Sequence, residues 1–135
     1  MSRHSLFNPE DMAPATGFSY GLISAPGRVL HLAGITGHDA DSSIEGDVVS
    51  QFGAACRSVG RVISEAGGSP DDLVSMTIYT SAMEEYRRNR RSIGAAYREV
   101  FGKHYPPMAL LGVSELFDPR AVVELVCVAV VPESG

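Results

Sequence analysis

The sequence predicts an α+β domain: a mixed β-sheet with two helices packed on one face. Two apolar patterns of helical period are interleaved with short apolar runs of strand length, in the order strand, strand, helix, strand, helix, strand, strand. The size agrees, because 135 residues with 44% hydrophobic and 20% charged side chains can bury one core without staples.

Met1 to Gly17 carry neither period, so an N-terminal arm is expected over 1–17 and a single domain over 18–135. Ser19 to Ser24 and Val29 to Ala33 are apolar runs separated by Ala25-Pro26-Gly27-Arg28. Pro-Gly is a turn signal, and the pair reads as a β-hairpin. Thr36 to Asp47, with glycines, serines and the acids Asp39, Asp41, Glu45 and Asp47, reads as a loop.

From Val48 to Ala66 the period changes. Val48, Phe52, Ala55, Cys56, Val59, Val62, Ile63 and Ala66 fall at spacings of three and four, on one helical face. Gly53 and Gly60 each cost such a helix about 1 kcal/mol against alanine, which points to close packing on a sheet. Gly67-Gly68 ends it. Leu73 to Thr80 alternates like a half-polar strand. A second helix is expected from about Met83 to Phe101, with Tyr86, Ile93, Ala96, Tyr97 and Val100 inward and Gly102 as its stop. Met108 to Val113 and Ala121 to Val131 supply the last strands.

The final strand is apolar on both faces: Val122, Val126, Val128 and Val130 on one, Val123, Leu125, Cys127, Ala129 and Val131 on the other. Two helices can cover one face of the sheet. Each buried valine-sized side chain contributes about 1.5–3 kcal/mol, so a second copy of the chain is expected over the other face.

A net charge of −5 argues against nucleic acid as a partner. Cys56 and Cys127 sit inside apolar runs, as small core residues of a reducing compartment do. The N-terminus lacks the apolar core of a signal peptide, and no run approaches the ~20 residues of a membrane span, so a soluble cytoplasmic protein is expected. His4, His31, His38 and His104 never reach a metal-ligand spacing. The calcium-loop-like start at Asp39 lacks glycine at its sixth place and glutamate at its twelfth, where Ser50 stands. No metal or cofactor is expected. Arg87, Arg88, Arg90 and Arg91 read as a solvated helix face, with Glu84 and Glu85 placed to pair with Arg88.

Glu124 stands alone as a charge between Val122 and Val126. A carboxylate in apolar surroundings is costly unless paired, and desolvation moves such a group towards the range of a general base. The competing reading is a strand-end glutamate that reaches solvent or an arginine across an interface.

Leu32-Ala33-Gly34, Glu65-Ala66-Gly67 followed by Asp71-Asp72-Leu73-Val74, Tyr97 to Phe101, Tyr105-Pro106-Pro107 and Val123-Glu124-Leu125 occur in an order that resembles the reactive-intermediate deaminase (RidA, or YjgF) family, from Gly17 to Val131. The resemblance implies a chorismate-mutase-like (YjgF-like) fold assembled as a homotrimer with three inter-subunit clefts. It implies hydrolysis of enamines and imines to a carbonyl compound and ammonia, without cofactor. Glu124 matches the family glutamate near the attacking water, and Gly34 a backbone position lining the cleft. Gly17-Phe18-Ser19-Tyr20 corresponds to a Gly-Pro-Tyr-Ser type segment in which Phe18 replaces proline and the tyrosine, Tyr20, is displaced. Met108 stands where deaminating members carry the arginine that clamps the substrate carboxylate. Losing such a clamp costs about 2–5 kcal/mol, so 2-aminoacrylate is expected to be a poor substrate and a larger, less charged imine, enamine or keto compound a better ligand. Arg120 or Lys103 could supply a relocated cation. The alternatives are a non-catalytic trimer that binds a small metabolite in the same clefts and, more weakly, RNA cleavage or chaperone-like activity.

Overall fold

The computed structural model describes residues 2–133; Met1, Ser134 and Gly135, at the ends of the expected arm and domain, lie outside them. Its main sheet is built around the most apolar segment, β7 (Val123–Val131). β7 pairs antiparallel with β3 (Arg28–His31) and β4 (Ile35–Thr36) on one side and with β5 (Leu73–Thr80) on the other; β6 (Met108–Gly112) then runs parallel to β5. The sheet is therefore mixed, as expected, and its parallel pair is reached by a helical crossover.

α1 (Val48–Glu65) covers one face of this sheet. Asp47 caps it, its carboxylate accepting from the Ser50 N–H at 3.0 Å. Gly67, at φ 88°, turns the chain out so that the Gly68 N–H donates to Ile63 O. Two expectations need correction here. Gly53 and Gly60 pack against the second helical layer and not the sheet: a Cβ on Gly53 would lie 3.5 Å from Ala96 Cβ, and one on Gly60 3.0 Å from Val100 Cγ1. The second helix is two helices, α2 (Met83–Arg88) and α3 (Arg90–Phe101), so three helices replace the expected two. Asn89 breaks it with φ −113° and ψ 26°, while its Nδ2 donates back to Glu85 O at 2.8 Å. The apolar stripe survives the break, because Tyr86, Ile93, Tyr97 and Phe101 are all buried. Arg88 pairs with Glu84 at 2.9 Å, on the solvated face where it was expected.

The expected hairpin also differs. β2 (Gly21–Ile23) pairs with β1 (Ser5–Phe7) in a separate two-stranded sheet, and β3 joins β7. Pro26-Gly27 makes a crossing between sheets: a Cβ on Gly27 would collide with the Val131 carbonyl and sit 2.9 Å from Val130 Cγ1. The segment before Gly17 is anchored at its start. His4 Nδ1 accepts from the Ala25 N–H at 2.9 Å, which leaves Nε2 to donate towards Asp72 Oδ1 and Val130 O at 3.2 and 3.1 Å. Arg3 Nε donates to the same Asp72 oxygen at 3.1 Å.

Side-chain alternation sorts β7 into two faces. Val123, Leu125, Cys127, Ala129 and Val131 are buried under the helices. Both cysteines are free; burial pushes the Cys56 thiol far up and Cys127 up to about 12, which makes them inert core residues. On the other face, Val126, Val29 and Leu111 are exposed by 37%, 59% and 47%, and Val128, Thr77 and Tyr79 are half-buried. Val130, at the end of that face, is buried beside Gly27 and Arg3, and the stretch around Val126 is left open.

Candidate functional site

The open face carries Glu124 near one end of β7. Its register partners are Thr36 on β4 and Tyr79 on β5, and two residues before Thr36 the chain passes Gly34. A Cβ at Gly34 would overlap Glu124 Oε2 and lie 3.0 Å from its Cδ, so glycine leaves the room that the carboxylate occupies. Among the described residues the Glu124 carboxylate has no ion-pair or hydrogen-bond partner. It is half-buried and not the fully enclosed acid that its apolar neighbours suggested. An unpaired carboxylate beside bare backbone is chemically competent to accept a proton from a water held there.

Met108 lies elsewhere. It pairs with Met76, whose side chain is in the helix-covered core, whereas Glu124 pairs with Tyr79 on the open face. Within one chain the two residues are on opposite sides of the sheet and two strands apart. Met108 and Phe18 come together in the wall of a cavity of about 600 Å³ between α3, the N-terminal segment and β6. They also share an adjoining depression of about 340 Å³ with Gly17, Ala109 and Leu110. Tyr20 packs edge-on against Phe18 at 5.2 Å, but its hydroxyl donates to Ala13 O at 2.9 Å and is committed to the fold.

Of the two cations suggested as replacements for the missing arginine, Lys103 lines the Met108 cavity. Arg120 does not. Its guanidinium donates to Asp118 at 2.8 Å and to Ser42 O at 3.0 Å, and the first of these bonds holds the Asp118 carboxyl down to about 2. The cavity has two further cations, Arg90, expected only on a solvated helix face, and Arg98, which the sequence did not single out, together with Tyr97 and Tyr105. The signal was present as Arg90-x3-Gly94-x3-Arg98, a basic stripe at spacing four with a side chain missing at its centre. Burial pushes Tyr86 up to about 12 and Tyr97 higher still, and Tyr97 donates to His104 O at 2.6 Å, so both phenols stay neutral wall groups. Among the described residues no cluster of histidine, cysteine and carboxylate side chains could hold a metal ion, and no helix is long and apolar enough to cross a membrane.

The fold is shared with known proteins. A curated RutC family protein of Pyrococcus abyssi is 24% identical over 118 residues, 86% of this chain and 88% of its own. A structure from Yersinia pestis, described as a protein of unknown function of the conserved Rid protein family, superposes with a TM-score of 0.85 at 26% identity, covering 95% of this chain and 98% of that one. A Mycobacterium tuberculosis member of the YjgF/YER057c/UK114 family shares the fold at a TM-score of 0.63 and 22% identity, over 95% and 99% of the two chains. Residues 9–131 match the family described as endoribonuclease L-PSP, and with nearly the whole fold inside that match the chain belongs to this family of Rid/YjgF proteins.

Proposed function

We propose that the chain hydrolyses the C=N bond of an imine, or of an enamine after its tautomerisation, to a carbonyl compound and ammonia. The reaction takes place in clefts where copies of the chain meet as a homotrimer. The observation that carries this reading is the pairing of an unpartnered carboxylate, Glu124, with the bare backbone of Gly34 at the margin of an apolar sheet face that the chain leaves uncovered. Because Glu124 and Met108 lie on opposite sides of one sheet, a cleft holding both draws them from different copies.

In such a cleft Glu124 accepts a proton from water as the oxygen adds to the C=N carbon. The same carboxyl returns a proton to nitrogen, and collapse of the carbinolamine expels ammonia. Imines hydrolyse readily, so orientation and one proton shuttle suffice, and neither metal nor cofactor is required. Met108 offers a flexible thioether in place of a charged clamp, which shifts specificity away from 2-aminoacrylate towards larger, less charged imines, with Phe18 and Tyr20 shaping the same region.

The test is ammonia release from imines generated in situ by an amino-acid oxidase, over carboxylated and neutral members. Turnover that Glu124→Gln abolishes supports the proposal; no turnover by the folded oligomer on any member defeats it. The missing cation at Met108 also favours a second reading, a non-catalytic trimer that holds a keto compound in these clefts. It predicts ligand-induced thermal stabilisation that survives Glu124→Gln.

A further inference from the structure

Thr36 is the polar neighbour of Glu124 on β4. Ile35 is buried in the core, so strand alternation turns Thr36 to the open face, where Glu124 is its register partner. Side chains opposed in this way start about 4.5–5.5 Å apart at Cβ. Among the described residues no hydrogen bond joins the two. The threonine hydroxyl is engaged elsewhere: Thr36 Oγ1 lies 3.0 Å from His38 Nδ1. His38 is exposed, but its backbone is fixed. It bridges to the buried Ile44, and the turn between them is closed by two bonds of 3.0 Å, from the Asp39 N–H to Ser43 O and from the Ser42 N–H to Asp39 O.

The direction of the Thr36–His38 bond governs what the hydroxyl can do next. If Nδ1 accepts, the Thr36 hydrogen is committed to the imidazole and the oxygen's remaining lone pair is free to accept. A water between Thr36 and Glu124 then has an acceptor for each of its hydrogens, and its own lone pair is left for an electrophile. If Nδ1 carries a proton instead, Oγ1 accepts from it, and the hydroxyl hydrogen turns to Glu124 in competition with that water. The charged groups on the surrounding elements are Asp39, Asp41, Glu45 and Asp47 in the loop that follows His38, Asp118 and Arg120 ahead of β7, and Glu124 itself. Asp39 and Asp41 accept from the Ser43 N–H, Asp47 caps α1 and Arg120 is held by Asp118, whereas the imidazole is bonded to Thr36.

We propose that Thr36 and Glu124 together hold the attacking water, and that His38 is a positioning residue which, through Nδ1, keeps the Thr36 oxygen an acceptor. This role rests on the imine-hydrolysis reading and refines it. In the addition step the water oxygen bonds to the C=N carbon and one of its protons passes to Glu124. The other stays on oxygen, hydrogen-bonded to Thr36, and neither Thr36 nor His38 gains or loses a proton.

The test is steady-state kinetics of Thr36 and His38 variants on imines generated in situ, beside nitrogen-15 spectra of the histidine side chains. Thr36→Val, close in shape and suited to a strand, lowers kcat about tenfold or more, with KM and melting temperature little changed, and Thr36→Ser restores most of the loss. His38→Asn offers Oδ1 near the place of Nδ1 but does not titrate. It keeps turnover within about threefold at pH 8, and the ratio of parent to variant turnover falls about threefold or more between pH 8 and about pH 5.5. The spectra show His38 of the parent as the Nε2–H tautomer at about pH 8. Turnover that Glu124→Gln abolishes and Thr36→Val leaves intact overturns the role of Thr36 while the imine reading stands; no turnover by the parent overturns both. An Nδ1–H tautomer at that pH, or a ratio that does not change with pH, overturns the role of His38.

Discussion

Gly34 and Glu124 are fitted to one another: a methyl group on the first would occupy the space of the second's Oε2. Backbone conformation does not demand glycine there, since Gly34 is not among the residues of positive φ. Space does. Gly34→Ala therefore displaces the tip of a flexible acidic side chain and little else. If the carboxylate acts on water at this point, imine turnover falls at least tenfold while the melting temperature moves by no more than a few degrees. Steady-state rates and a thermal melt on the same variant check both halves. Unaltered turnover would remove Glu124 from the chemistry.

Most elements of this fold were legible because their burial is one-sided. α1 shows its stripe from Val48 to Ile63, and β5 alternates buried Met76, Ile78 and Thr80 with half-buried Thr77 and Tyr79. What escaped was set by partners distant in sequence. β1 is three exposed residues, Ser5–Phe7, with no alternation to read, and it exists because β2 lies beside it. Pro26-Gly27 carries a turn signal, yet its glycine is dictated by the Val131 carbonyl more than a hundred residues later. The break at Asn89 is hidden because the apolar stripe of α2 continues into α3. The cavity was missed for a similar reason. Its cations belong to a helix face that looks solvated until the N-terminal segment folds across it.

The anchor of that segment can be tested directly. Asp72 is 4% exposed and accepts from Arg3 Nε at 3.1 Å, from His4 Nε2 at 3.2 Å and from the Ser69 N–H at 3.0 Å. Asp72→Ala leaves the buried His4 with one acceptor fewer and costs about 1–3 kcal/mol, read as a shift of the urea midpoint. It also releases β1. Amides of Ser5–Phe7 then exchange faster than those of β5 and β7, which stay protected until global unfolding. Uniform weakening of all strands would contradict this account.

Acid stability offers a separate check, with its sign fixed by Asp118. The Arg120 side-chain hydrogen bond and its backbone N–H hold the Asp118 carboxyl down to about 2 in the folded chain. A depressed folded value means the stabilisation is complete above the unfolded value, near pH 4, and is lost as pH falls through about 2. Asp118→Asn is thus less stable than the parent at neutral pH, and the gap closes between about pH 4 and pH 2. Paired thermal melts across that range measure it. A gap of constant size would show that the substitution acts through packing.

The uncovered sheet face makes the strongest demand of all. Val126 is 37% exposed at its centre, flanked by half-buried Val128 and Thr77, and a glutamate at position 126 of an isolated chain would point into water at little cost. In a trimer the same charge would be buried among valines, with a penalty of several kcal/mol at each interface unless it found a cation. Val126→Glu consequently leaves the fold intact by circular dichroism and converts the proposed trimer to monomer by light scattering. Imine turnover disappears with the trimer, because Glu124 loses the copy that completes its cleft. A monomeric parent protein, or a Val126→Glu variant that keeps both its trimer and its turnover, would separate the open face from the chemistry proposed at its edge.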